Sequence, residues 1–322
     1  MAAREWLWLV KESAYGTQKS TPVAGTDSIF IRLDGGNAFS MRPKPKQVDV
    51  MMGGGLAIKG LKVSGETPVS GSLQTKLCYS QALLLLGWCA SRINTAQTAP
   101  WTTTEPAGDL ASVVIYHAIQ RIDGTYKIKA YPGCKVDKWK LECSKDSVVA
   151  TLSIDIVAQK VTGNSFDASS DPTTTPPTDA QYATDLVIFQ HSVAGLKIAN
   201  GGTARTAYES FSIDCDNTLD ATACESRWLS YLRMLGRKAT LSAKLILKPS
   251  PDDRASYEAL TAQACSLALT NVTNTITIDF KGTNYLSDVG DDLPLEKIYE
   301  QTLKIDSLYD TTAGTDFSIA FV

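Results

Sequence analysis

Tyr126–Lys160 reads YKIKAYPGCKVDKWKLECSKDSVVATLSIDIVAQK. From Val136 to Cys143 the residues alternate: Val136, Lys138, Lys140 and Glu142 fall on one face, Asp137, Trp139, Leu141 and Cys143 on the other. Ser144-Lys145-Asp146-Ser147 is polar and short enough to reverse the chain. Alternation then resumes, with Val148, Ala150, Leu152, Ile154 and Ile156 opposite Val149, Thr151, Ser153, Asp155 and Val157. A period of two over adjacent runs predicts an antiparallel hairpin with one dry face and one wet face. Taken alone, that is one sheet of a β-sandwich.

Working outward, the same order of elements occurs twice. Ser28–Leu33 is a strand candidate and Asp34-Gly35-Gly36-Asn37 a turn. Residues 42–66 open with Arg42-Pro43-Lys44-Pro45-Lys46, which excludes helix and would spoil a central strand. With Gly53-Gly54-Gly55 they read as a long arm ordered by a partner. Val69–Leu77 alternates, and Thr75–Ala90 is apolar almost all round, a helix that must be buried on most sides. Ser112–Ile119 is a strand on which His117 is a core or interface residue.

Residues 163–179, GNSFDASSDPTTTPPTD, form a Ser/Thr/Pro-rich linker. The expected domains are therefore 1–162 and 180–322. In the second, Leu186–Ile198 is strand-like, Asn200-Gly201-Gly202 a turn and Ser210–Asp214 a strand. In 217–238, Trp228, Tyr231, Leu232 and Leu235 are at helical spacing, which suggests a loop with a helical turn. Ala239–Leu247 alternates, Ser250-Pro251 begins a helix reaching about Ala264, and Ser266–Phe280 holds one or two strands. Leu295–Ser307 and Phe317–Val322, joined by Tyr309–Gly314, are expected to pair as the terminal hairpin.

The hydrophobic content, 43%, is that of a globular chain. No window is apolar over about 18 residues, so no membrane span is expected. Trp6–Val10 is too short for a signal-peptide core, which suggests folding in a cytoplasm. Seven cysteines without CxxC spacing and two histidines argue against zinc, and the cysteines read as small core residues. The net charge of −3 conceals a split: residues 1–162 carry 19 Lys+Arg and 13 Asp+Glu (+6), residues 163–322 carry 12 and 21 (−9). Attraction between unlike halves of neighbouring copies explains this as well as a nucleic-acid face does.

Phe211–Leu219, Leu235–Leu245, Asp252-Asp253 and Tyr257–Leu260 form a series that resembles the tail tube proteins of long-tailed, siphovirus-like bacteriophages. Glu12-Ser-Ala-Tyr-Gly-Thr17 is similar to the family's openings, and Gly65-Glu66 with Gly71–Leu77 occupies the corresponding place in the first half. The resemblance implies a mainly β chain of two tandem tail-tube-like β-sandwich or barrel domains, each with one flanking helix and a long loop. It also implies homotrimeric rings with pseudo-sixfold symmetry, stacked into the hollow tail of a virion. A tape measure protein and tail terminator or distal tail proteins would be further partners, DNA would touch the lumen transiently and without specificity, and no cofactor is expected.

A lumen must be polar without dense positive charge, which would grip phosphates. The candidates are Lys138, Lys140, Glu142, Thr151, Ser153 and Asp155 in the first half and Ser212, Asp214, Thr275, Thr277 and Asp279 in the second. Lys138 and Lys140 then need nearby carboxylates such as Glu142 or Asp155. Met51, Met52, Gly53, Gly54, Gly55 and Leu56 are the candidate inter-ring contact. No GxSxG, HExxH or Walker loop is present, so no enzyme is expected. The alternative is a non-catalytic surface or adhesion module of β-sandwich type, carbohydrate-binding modules included, which would be expected to show a signal segment or paired cysteines.

Overall fold

The computed structural model of the chain describes residues 5–17, 28–33, 37–45, 47–52, 56–64, 67–91, 93, 99–103, 110–120, 126–162, 189–191, 194–198, 204–205, 207–223, 228–246, 253–271, 274–292, 300–312 and 314–322. The first half contributes β1 (Glu5–Lys11), β2 (Ser28–Arg32), β3 (Ala38–Pro43), β4 (Gln47–Met52), β5 (Leu56–Ser64), β6 (Val69–Lys76), α1 (Tyr79–Cys89), β7 (Trp101–Thr102), β8 (Val113–Gln120), β9 (Tyr126–Ser144) and β10 (Thr151–Ala158). The second contributes β11 (Ala194–Ile198), β12 (Tyr208–Asp216), β13 (Leu219–Thr222), β14 (Tyr231–Met234), β15 (Lys238–Ile246), α2 (Asp253–Glu258), β16 (Gln263–Thr270), β17 (Thr275–Asn284), β18 (Leu286–Asp292), β19 (Glu300–Asp306) and β20 (Phe317–Phe321). The chain is mainly β and antiparallel, as its alternating runs dictate.

β9 is the frame. Its first part pairs with β8, its second with β10 on one side and β12 on the other. The two parts meet at Gly133, whose φ of +66° and whose approach to Gln159 and Tyr15 leave no room for a Cβ. Through β9 the longest sheet runs β18-β19-β15-β12-β9-β10-β6-β3, with β8, β1 and β2 attached beyond. It crosses from one half of the sequence to the other at the β12–β9 ladder, where Ile213 faces Leu141 and Asp214 faces Lys140.

On either side of that joint the strand order is the same: β9-β10-β6-β3 in the first half, β18-β19-β15-β12 in the second. The irregularities match as well. The β10–β9 ladder steps over Asp137 between Val136 and Lys138, and the β19–β18 ladder steps over Ser287 between Leu286 and Asp288. An extra residue of this kind is a β-bulge, which bends the strand locally. Following the registers outward, Ser72 and Ser40 in the first half correspond to Ser242 and Ser212 in the second.

The dry face of the long sheet packs against α1 and the five-stranded sheet β11-β16-β17-β20-β7. Leu141, Leu152 and Ile154 from the first half lie in one cluster with Leu241, Ile278 and Phe317 from the second. Trp139 meets Phe317 edge-on at 6.1 Å. β7, from the first half, extends the second sheet: Trp101 stacks on Phe321 at 5.4 Å and Thr103 N donates to Ile319 O at 2.8 Å. α1 has no side-chain cap at Cys78, and Ala82 to Cys89 are all buried. Burial, at roughly 1.5–3 kcal/mol per large apolar side chain, holds it rather than its termini.

Several expectations are corrected. The bulge turns Val136 into the core opposite Ile156 and leaves Asp137 at the boundary, the reverse of strict alternation. Val148 is 49% exposed, because β10 begins only at Thr151 and Val148 closes the turn with φ +61°. Residues 217–238 hold the β13–β14 hairpin instead of a helical turn; Leu232 is buried while Tyr231 and Leu235 face solvent. α2 ends at Glu258, since its exposed residues give it little to bury. β19 and β20 do not pair: β19 lies between β15 and β18, and β20 joins β17 in the other sheet. The hairpin equivalent to β9–β10 is β18–β19, whose acidic, glycine-containing strand LSDVGDD gives weak alternation. The linker 163–179, the turn residues 34–36 and 200–202, and Ser250-Pro251 lie outside the described residues.

Candidate functional site: the polar face of the long sheet

Because side chains alternate along each strand, every residue opposite a wet-face residue is on the wet face too. The ladders therefore bring Lys138, Lys140, Glu142, Thr151, Ser153, Asp155, Ser212 and Asp214 onto one surface: Glu142 lies between Thr151 and Ser212, Lys140 between Ser153 and Asp214, and Lys138 between Asp155 and Asp216. The surface continues across β15 through Thr240 and Ser242 and across β6 through Gln74 and Ser72.

The cations at its centre, on β9, β15 and β19, are matched. Lys138 Nζ is 2.6 Å from Asp216, and Lys140 Nζ is 2.6 Å from Glu142. The Asp216 hydrogen bond holds the Lys138 ammonium above its usual range, with Asp155 adding to the effect, and the same bond holds the Asp216 carboxyl below its own. The Glu142 hydrogen bond raises Lys140. Farther along, Lys238 is 3.0 Å from Asp306 and Lys304 is 3.5 Å from Asp288. Exposed pairs like these add little stability. What they do is cancel local positive potential, so that a polyanion beside this face meets alternating charge in place of a basic strip.

Thr275, Thr277 and Asp279 are not part of this surface. They lie on β17, which among the described residues pairs with β16 and β20, and their neighbours Ile276, Ile278 and Phe280 enter the shared core. Their side chains therefore point out of the opposite layer, where Asp279 pairs with Lys281 at 2.5 Å. Sequence reasoning missed Asp216, Lys238, Thr240 and Ser242. The signal was present, because fixing Leu241, Ala243 and Leu245 as the dry face of β15 assigns its other residues to the wet one.

Two hairpins rise from equivalent places, β4–β5 between β3 and β6, and β13–β14 between β12 and β15. In the first, Met51 faces Ala57 and Met52 faces Leu56; Gly53-Gly54-Gly55 lies outside the described residues. Both hairpins are separate two-stranded sheets. The second is tied to the first half of its own chain. The buried Lys135 Nζ donates to Leu232 O at 2.6 Å, Leu229 N donates to Gln159 O at 3.2 Å, and Leu219 N donates to Asp137 Oδ1 at 3.3 Å.

The amino-terminal Glu12–Thr17 run has a structural purpose. The Glu12 carboxylate accepts from Ser112 Oγ (2.5 Å), Gly133 N (2.8 Å) and Gly16 N (3.0 Å), and the Tyr15 ring lies 4.7 Å from Lys135 Nζ. Burial pushes the Glu12 carboxyl up despite these bonds. The run thus clamps the bend in β9 that orients the polar face. His117 is mostly buried against the Phe39 ring, and burial, with Lys129 nearby, lowers it to about 4. It is a neutral packing residue. Among the described residues no group of His, Cys, Asp and Glu is placed to hold a metal, and no helix is long and apolar enough to cross a membrane.

No curated protein matches the chain. A chain in a solved structure described as "Virion of native gene transfer agent (GTA) particle" is similar at 11% identity, covering 41% of this chain and 98% of that one, with a TM-score of 0.29. The family described as "Phage tail tube protein" matches residues 3–314. The match spans nearly the whole sequence, and the chain belongs to the phage tail tube protein family, whose members are structural components of the virion tail.

Proposed function

We propose that three copies of this chain close into a ring whose two domains alternate with pseudo-sixfold symmetry, that rings stack into the tail tube, and that the polar face of the long sheet lines the lumen. The observation that carries this reading is the repeated strand order. Inside one chain, the outer strand of the second half, β12, pairs with the outer strand of the first half, β9. The two ends of the same path, β3 and β18, are the equivalent strands, and among the described residues neither has a partner on its outer side. An open sheet edge is a template for pairing with another chain. Adding β3 of one copy to β18 of the next repeats the internal joint and gives a closed wall of one kind of seam.

A lumen on the polar face suits DNA passage, because the lysines at its centre, Lys138 and Lys140, are offset by carboxylates and give phosphates no basic groove there. Thr275, Thr277 and Asp279 then belong to the outer surface. The β4–β5 hairpin, with Met51, Met52 and Leu56, reaches a neighbouring copy. Tape measure protein inside the tube and terminator or distal tail proteins at its ends are the remaining partners, and synthesis is in the host cytoplasm. Electron microscopy of the concentrated protein tests the ring: averaged end views should show three copies per ring with near-sixfold density. Six copies per ring, or particles that stay single at high concentration, overturn it.

A further inference from the structure

We propose that the seam between copies has a fixed register in which Lys44 of β3 faces Asp288 of the next copy's β18, with Arg42 between Asp288 and Asp292, so that the seam is the charge-reversed counterpart of the one inside the chain. This rests on the ring reading above and adds the partner residues. The matched bulges set the alignment. Lys138 follows the bulge on β9 as Asp288 follows it on β18, and Glu142 corresponds in the same count to Asp292. Ser212 corresponds to Ser40, so Asp214 corresponds to Arg42 and Asp216 to Lys44. The backbone continues the equivalence one residue past β3, for Lys44 N donates to Pro68 O at 2.8 Å just as Asp216 faces Lys238.

Inside the chain, Asp216 meets Lys138 at 2.6 Å across the joint, and Asp155 on the far side of Lys138 adds to its field. At the outer edges four of these positions exchange sign, while Asp292 keeps the sign of Glu142. Asp288 stands where Lys138 stood, with Lys304 3.5 Å away where Asp155 was. Lys44 and Arg42, both exposed, stand where Asp216 and Asp214 were. Among the described residues neither has an ion-pair partner within the chain. A neighbour's Asp288 would receive Lys44 as Lys138 receives Asp216.

Both seams therefore put acid on the second half and base on the first. Pairing two first halves or two second halves would oppose like charges, which destabilises a strand pair. The split of +6 and −9 between the halves has the same sense. Pro43 adds to the restriction. Lys44 N points toward β6, so the Pro43 nitrogen points outward, and it has no hydrogen to donate. A proline on an edge strand discourages indiscriminate pairing, which leaves the side chains to choose partner and register.

The test is a charge exchange. R42E/K44E and D288K/D292K, each made alone in the full chain, should keep the melting temperature of the dissociated protein and lower tube yield about tenfold or more at low salt, with partial recovery as screening rises. The four changes together should restore tubes, and that quadruple variant should not co-assemble with the unchanged chain. As a register check independent of charge, oxidised K44C/D288C should give covalently joined copies and K44C/D292C should not. If the unchanged chain forms no rings, the ring reading has failed. If it forms rings while the half-exchanged variants assemble normally, or the quadruple variant does not recover, the seam assignment alone is overturned.

Discussion

The two hairpins occupy the same place in the two repeats, and among the described residues a dock in the same chain is seen for one of them, β13–β14. β13–β14 lies over the first half, where Lys135, Asp137 and Gln159 hold its backbone and Leu232 is 2% exposed. β4–β5, like β13–β14, forms its own two-stranded sheet, and no such tie to the rest of the chain is seen among the described residues. In the ring proposed above, the second half would be followed by a first half of the same chain, and the first half by a second half that another copy supplies. If the halves are equivalent, the bed for β4–β5 is the second half of a neighbour, and the asymmetry is what separates a folding contact from an assembly contact.

The largest expected effect breaks that contrast directly. Deleting Val50–Ile58 should leave the monomer's melting temperature unchanged and abolish tubes in electron micrographs and sedimentation. Deleting Asp220–Arg233 should instead destabilise the monomer by several kcal/mol, because it removes the carbonyl that receives the buried Lys135 ammonium. Normal tubes from the first deletion, or an unchanged melting curve from the second, would show that the hairpins do not divide the work this way.

A smaller effect should follow from Lys135→Met, which replaces the aliphatic stem but lacks the Nζ and its charged hydrogen bond. The expected cost is about 1–3 kcal/mol by denaturant unfolding, reduced by relief of the ammonium's burial. Tubes should still form, since Lys135 belongs to the internal dock. A loss of tubes with unchanged stability would place Lys135 at a contact between copies.

How much of this was legible beforehand depends on whether one strand or two must be read at once. Alternation in Lys138–Glu142 and Thr151–Asp155 marks the wet face correctly, and the apolar run Leu83–Leu86 marks a buried helix. The bulge at Asp137 was hidden, because its evidence is a register that only the partner strand defines. β18 was hidden because LSDVGDD has too little apolar content to show a period. In sequence β20 reads as the partner of β19, because a polar turn at Tyr309–Gly314 looks the same whether the chain returns to its neighbour or crosses the core. There Arg237, buried with Asp316 and 4.7 Å over the Phe317 ring, anchors the start of β20. The lumen candidates divided for the same reason: alternation says that Asp155 and Asp279 both face water, but only sheet topology says they face different water.

The smallest effect uses that last distinction. Asp155 on β10 and Lys304 on β19 are at matching positions of the two repeats and carry opposite charges. Changing Asp155 to lysine makes the two positions alike, so a three-copy ring would present lysine at every equivalent position around the wall. Assembly should survive, because the side chain points into solvent and exposed pairs contribute little. DNA release should slow, and most at low salt: three added phosphate contacts would strengthen binding roughly fortyfold between 200 and 50 mM salt, at about 0.9 in log–log slope per contact. Asp279→Lys loses only an exposed pair with Lys281 and should release DNA at the ordinary rate. Measuring release from particles carrying each variant at both salt concentrations decides which surface meets the DNA. Slowing by Asp279→Lys but not by Asp155→Lys would turn the wall inside out and assign the lumen to the β17 layer, while equal, salt-independent rates would remove the charge balance of the long sheet from any part in DNA passage.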